Sequence, residues 1–148
     1  MPNDGVADGP DARRVAPWAL AGAGTVLAVA IAGLHVLNGA TPSYGINYYG
    51  LGQAVQCAAD AVLGALIIRR HPRHVIGWLL CGLGLSTGLA GLGHEVAVLR
   101  AEGLVPGPVA AWGLWLGDFL WLPAYELTPT VLVLLFPTGR PPSRRWWP

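Results

Sequence analysis

Charge is what this sequence has least of. Only 11% of its 148 residues are charged and none is lysine. Its hydrophobic fraction, 53%, is a poor match to a soluble domain, where about a quarter of residues are charged. Catalytic signatures are missing too: there is no G-x-x-x-x-G-K-[ST] phosphate loop, no G-x-S-x-G nucleophile elbow and no H-E-x-x-H zinc helix. Nor is there a basic, aromatic-rich surface for nucleic acid, so no catalytic residue and no nucleic-acid partner is assigned. Cysteine is scarce, with Cys57 and Cys81 alone. They fall at different depths of neighbouring apolar blocks, beyond the roughly 7 Å Cα separation a disulfide tolerates, and read as free thiols in packing positions.

What is present is apolar residues gathered into four blocks, residues 17–37, 51–68, 75–99 and 110–136. Each approaches the length needed to cross roughly 30 Å of hydrocarbon as a helix. The fold expected is all-α, an integral membrane bundle of four transmembrane helices with both termini cytoplasmic. Residues 1–16 are expected to be a disordered cytoplasmic tail, 17–136 the transmembrane domain and 137–148 a cytoplasmic exit motif. The mixed-charge start MPNDGVADGPDARR and the full-length first block argue against a cleaved secretory signal.

Arginine placement sets the orientation, because cationic residues flanking spans are held on the cytoplasmic side. Arg13 and Arg14 precede the first span, Arg69, Arg70 and Arg73 separate the second from the third, and Arg140, Arg144 and Arg145 follow the fourth. Only Arg100 falls on the other side. Aromatic residues agree: Trp18, Trp78, Trp146 and Trp147 lie near the inner boundary, and Tyr44, Tyr48, Tyr49 and Trp112 near the outer one. The location implied is the plasma membrane, with the bilayer as the first partner.

Span three carries a small-residue stripe, Gly77, Cys81, Gly84, Gly88, Gly91 and Glu95, in steps of four and three that keep to one helix face. Within it Gly84 and Gly88 form a GxxxG, which permits close helix approach in lipid. Span one shows a similar stripe, Ala21, Thr25, Ala28, Ala32 and His35. Both run outward, so His35 and the His94/Glu95 pair are expected at similar depth, within reach of each other. Gln53, Gln56 and Asp60 on span two and Asp118 and Glu126 on span four add polar groups at middle or outer depths. Pro123 and Pro129 withhold an N–H from the carbonyls of Phe119 and Tyr125 beside those acids.

Together these residues suggest a polar vestibule opening outward, because ionisable groups in spans face a bundle interior, a partner or water. Three readings stay open: a proton sensor in which histidine protonation strengthens pairing with Glu95, a small ligand or lipid among the acids, or groups that satisfy one another inside the bundle. HPRH, from His71 to His74, has a proline in it and no third ligand, so it reads as a basic loop facing anionic lipid and no metal is assigned.

Two stretches at the inner edge carry a resemblance. RRHPRHVIGWLLCGLGL, from Arg69 to Leu85, resembles the N-P-I-G-W-L-L start of a membrane helix in actinobacterial membrane-embedded sensor histidine kinases. LLFPTGRPPSRRWWP, from Leu134 to Pro148, resembles their L-L-F-P-D-G-R-L-P-S-x-R-W exit. The two cover about a fifth of the chain. His74 and Val75 stand where the family has Asn-Pro, and Thr138 where it has Asp. Gly77 and Trp78 still mark the start, and Phe136, Pro137, Gly139 and Arg140 the exit.

The resemblance implies the input module of a sensor kinase, acting as a homodimer and signalling to a response regulator through domains that would follow Pro148. ATP and Mg would belong to that kinase core, and no cofactor is expected in these residues. The rival readings are a small transporter or channel subunit using the intramembrane acids, for which substrate flux in proteoliposomes is the test, and a membrane anchor that senses nothing.

Overall fold

The computed structural model describes residues 12–39 and 49–135. Among them every regular element is helical: α1 (Ala12–Asn38), α2 (Gly50–Arg70), α3 (Val75–Ala101), α4 (Gly107–Leu122), a π-helical turn (Pro123–Leu127) and α5 (Thr128–Leu135). Four segments, Val15–Asn38, Gly50–Arg70, Val75–Ala101 and Gly107–Leu135, are long and apolar enough to cross a membrane. The shortest has 21 residues, which at about 1.5 Å each matches the hydrocarbon thickness.

Boundaries differ from expectation at several points. Residues Ala12–Ala16, expected in the tail, are already helical, although Pro17, the sixth residue of α1, withholds an N–H from the Arg13 carbonyl. The third helix runs two residues past Leu99 and stops with a Schellman motif: Gly103 has φ +73°, its N–H donates to Arg100 O at 2.9 Å, and the Leu104 N–H reaches Leu99 O at 2.9 Å. The fourth span starts at Gly107 and is interrupted: Pro123 lacks the N–H that would continue the ladder, and the chain passes through one π-helical turn before α5. The exit residues Phe136, Pro137, Gly139 and Arg140, the tail before Ala12, and Tyr44 and Tyr48 lie outside the described residues.

Contacts between helices fall into layers that give the topology. Gly77 meets Ile68, Gly64 meets Cys81, Gly84 meets Ala61, Gly88 meets Cys57 and Leu27, and Gly91 meets Gln53 and Ile31. Numbers rise along α1 and α3 as they fall along α2, so α1 and α3 run parallel with α2 antiparallel between them. The fourth segment leans on α3 alone for most of its length, antiparallel, with Gly93 against the Gly113 carbonyl and Gly117 against Ala90 and His94.

The interior is made of small residues. Ala21, Ala28, Ala54, Cys57, Ala61, Ala65, Cys81 and Ala90 are buried, with Ile31, Ile68, Leu83 and Val98 the large exceptions, whereas Val26, Val29, Val36, Leu37 and Val55 are exposed. A soluble core has the opposite arrangement. Large apolar groups outside and small ones inside suit a multi-pass membrane protein, where hydrocarbon solvates the outer surface and helices associate by close van der Waals packing.

At the other end, the α2–α3 turn is held by His71 N–H to Ile67 O (2.7 Å), His74 N–H to His71 O (2.9 Å) and the Trp78 indole N–H to Pro72 O (3.0 Å). Arg69 stacks over the Trp18 ring at 5.6 Å, so the start of α1 and the end of α2 share that basic end.

Candidate functional site

Polar side chains that sequence reasoning gathered into one vestibule occupy three separate places. The most enclosed is at the end of the bundle opposite Arg69, Arg70 and Arg73. Glu95, on the inward stripe of α3, is fully buried there. Its Oε1 lies 2.7 Å from His35 Nδ1, and its Oε2 accepts from Asn38 Nδ2 at 2.6 Å. The same Asn38 amide also approaches the Glu95 main-chain oxygen at 3.2 Å. One proton is shared between Nδ1 of His35 and Oε1 of Glu95.

His35 and Asn38 stand three residues apart on the last turn of α1, hence on one face. A carboxylate out of water is tolerated only when its oxygens are met by donors, and this arrangement meets both of them. The result is a polar clasp between α1 and α3 in a bundle otherwise packed by glycine and alanine.

His94 does not join it. Neighbouring residues on a helix point about 100° apart, so with Glu95 facing α1 the His94 ring turns toward α4. Its Nε2 lies 3.2 Å from Asp118 Oδ1, and the Asp118 side chain is 71% exposed.

The third place is the flank of α2. Tyr125, from the π-helical turn, donates its hydroxyl to Gln56 Oε1 at 2.9 Å, and Asp60 stands one turn on from Gln56 along α2. Gln53, two turns before Asp60, is buried against Gly91. Glu126 joins none of these groups: its side chain is exposed, while its carbonyl accepts from Thr130 Oγ1 at 3.0 Å.

Asn38 is the site residue that sequence reasoning missed, because it stands one residue beyond the first apolar block, 17–37, whereas α1 runs on to include it. Its place three residues after His35, ending the same stripe, was the available signal. The packing glycines Gly77, Gly84, Gly88 and Gly91 are all buried in the α2–α3 and α1–α3 contacts. Cys57 and Cys81 are free and buried, their thiols directed at Gly24 O (3.2 Å) and Ala61 O (3.7 Å). Among the described residues no group of three His, Cys, Asp or Glu side chains could hold a metal ion.

No protein-family model, curated protein or solved structure matches the chain.

Proposed function

We propose that this chain is the transmembrane input module of a sensor histidine kinase, set in the plasma membrane with both termini cytoplasmic and passing a membrane or extracellular signal to a kinase core. The observation that carries the reading is the His35–Asn38–Glu95 clasp. It ties α1 to α3 at the end remote from the basic edges, and α3 is also the helix on which the fourth segment rests. A stimulus that alters the clasp therefore acts on the helix that positions the segment leading to the exit motif.

Two further features support it. Arg69, Arg70 and Arg73 gather with Trp18 and Trp78 at one end, as cytoplasmic edges do. The kinase assignment itself rests on the family-like edges at Arg69–Leu85 and Leu134–Pro148. A signal shifts such a bundle only by its differential affinity for two packings, and about 1.4 kcal/mol of bias changes their ratio about tenfold.

Fusing residues 1–148 in register to the dimerisation and ATP-binding domains of a membrane sensor kinase tests the reading. Glu95→Gln and His35→Ala should each change phosphotransfer to the response regulator severalfold. Unchanged output in both variants, with equal regulation from a fusion carrying unrelated spans, would leave the chain as an anchor.

A further inference from the structure

Arg100 is the one arginine between Arg73 and Arg140, and the connection from 39 to 49 holds none. It belongs to the last turn of α3, at the clasp end of the bundle, and is exposed. Its guanidinium is laid over the start of α4: an alanine Cβ at position 107 would stand 2.5 Å from Nη1 and 3.2 Å from Cζ. At the opposite edge Arg69 has the Trp18 ring beneath it at 5.6 Å, whereas among the described residues Arg100 has no ring, ion pair or side-chain hydrogen bond. Glu102, the nearest acid in sequence, is engaged by another group. A guanidinium held in place without a counter-charge is suited to an anion, and to phosphate above all.

Directly beyond Gly107 the surface turns apolar. Pro108, Ala111, Trp112 and Trp115 follow one another by three, one and three residues, so they share one face of α4, and together they line an open groove of about 530 Å³. Gly113 and Gly117, which pack against α3, lie on the opposite face, so the groove looks away from the bundle. Its wall is stiff: the Trp112 and Trp115 rings meet edge to face at 5.7 Å, and Trp115 stacks on Phe119 at 5.3 Å. At about 1.5 Å per residue from Gly107, Trp112 lies about 8 Å and Trp115 about 12 Å further along the helix, toward the hydrocarbon.

Charge at the boundary and an apolar channel running inward from it match the order of parts in a phospholipid, head group first and acyl chain below. Water would solvate the guanidinium and leave the groove uncovered. A lipid without net charge would cover the groove and leave the guanidinium unmatched. A second copy docked on this face about a twofold axis would bring another Arg100 to the same boundary, adding like charge. We propose that Arg100 and the Trp112–Trp115 groove hold an anionic phospholipid, its phosphate on the guanidinium and one acyl chain along the two indole rings. The site requires only that the helices lie in a bilayer and stands apart from the kinase reading, so either can fail without the other.

Photo-crosslinking of the full chain in phosphatidylcholine nanodiscs tests it. A phosphatidylglycerol probe carrying a diazirine on one acyl chain should form adducts, mapped by mass spectrometry, between Pro108 and Phe119. There it should exceed a phosphatidylcholine probe with the same chain by about fivefold. Arg100→Gln should bring the two probes level at this segment, and Arg100→Lys should keep most of the preference. Gly107→Ala, whose methyl takes the place of the guanidinium, should reduce the preference with the charge intact. Equal labelling by the two probes in the wild type, a preference kept by Arg100→Gln, or adducts that vanish when two chains rather than one occupy a disc would overturn the proposal; the last would give this face to a second copy.

Discussion

Gly84 and Gly82 lie two residues apart on α3, and the same substitution should move stability in opposite directions at the two positions. An alanine Cβ at position 84 would stand 2.8 Å from both the Ala61 nitrogen and the Cys57 carbonyl oxygen, and 3.3 Å from Ala61 Cβ. The first two belong to the backbone of a helix and cannot turn aside. Ordinary contact begins at 3.4 Å, so relief requires α2 and α3 to part by about 0.6 Å. A gap of roughly that size forfeits a quarter or more of each van der Waals contact along the seam, and overpacking of this kind costs about 1–3 kcal/mol.

The better helix propensity of alanine returns about 1 kcal/mol, leaving Gly84→Ala destabilised by up to about 2 kcal/mol. At Gly82 a Cβ meets nothing within 4 Å, and only the propensity gain remains. Unfolding free energies in mixed micelles, measured for both variants, should therefore differ by about 2 kcal/mol with opposite signs relative to wild type. If the two variants fall within about 0.5 kcal/mol of each other, the close α2–α3 approach is wrong.

The clasp gives a second measurement. A double-mutant cycle of His35→Ala and Glu95→Ala should return a coupling of about 1.5 kcal/mol, above the average of about 0.6 kcal/mol for polar pairs in bilayers because both oxygens of Glu95 are engaged. A coupling under about 0.3 kcal/mol would show that the two side chains act independently. Orientation is checked with single cysteines and a membrane-impermeant maleimide on intact cells: Arg100→Cys should label and Arg70→Cys should not, and labelling at position 70 would reverse the topology.

The stripe on α3 was fully legible because glycine at steps of four and three has one use in an apolar helix, and all of Gly77, Cys81, Gly84, Gly88, Gly91 and Glu95 are indeed buried. On α1 the same rule held at Ala21, Ala28 and His35, which are buried, and failed at Thr25, which is exposed with its hydroxyl returned to Ala21 O; Gly24, Ile31 and Asn38 complete the seam. Ile31 belongs there because Gly91 on α3 leaves room for it, a complementarity between two helices that neither segment reveals alone. The single vestibule failed for a related reason. Depth along a span could be read from the chain, but which flank each acid occupies depended on where the fourth segment docks, and that is fixed by Gly93, Gly113 and Gly117 rather than by the acids.

The π-helical turn at Pro123–Leu127 has a mechanical consequence. It accommodates its residues with a wider winding than the helices on either side, so conversion of this one turn to regular α geometry would swivel everything after it by about 100°. The half above is anchored to α3 through glycine contacts, whereas the half below touches the bundle sparsely. Torque delivered to this segment would thus appear almost wholly as rotation of α5, leaving the upper half in place.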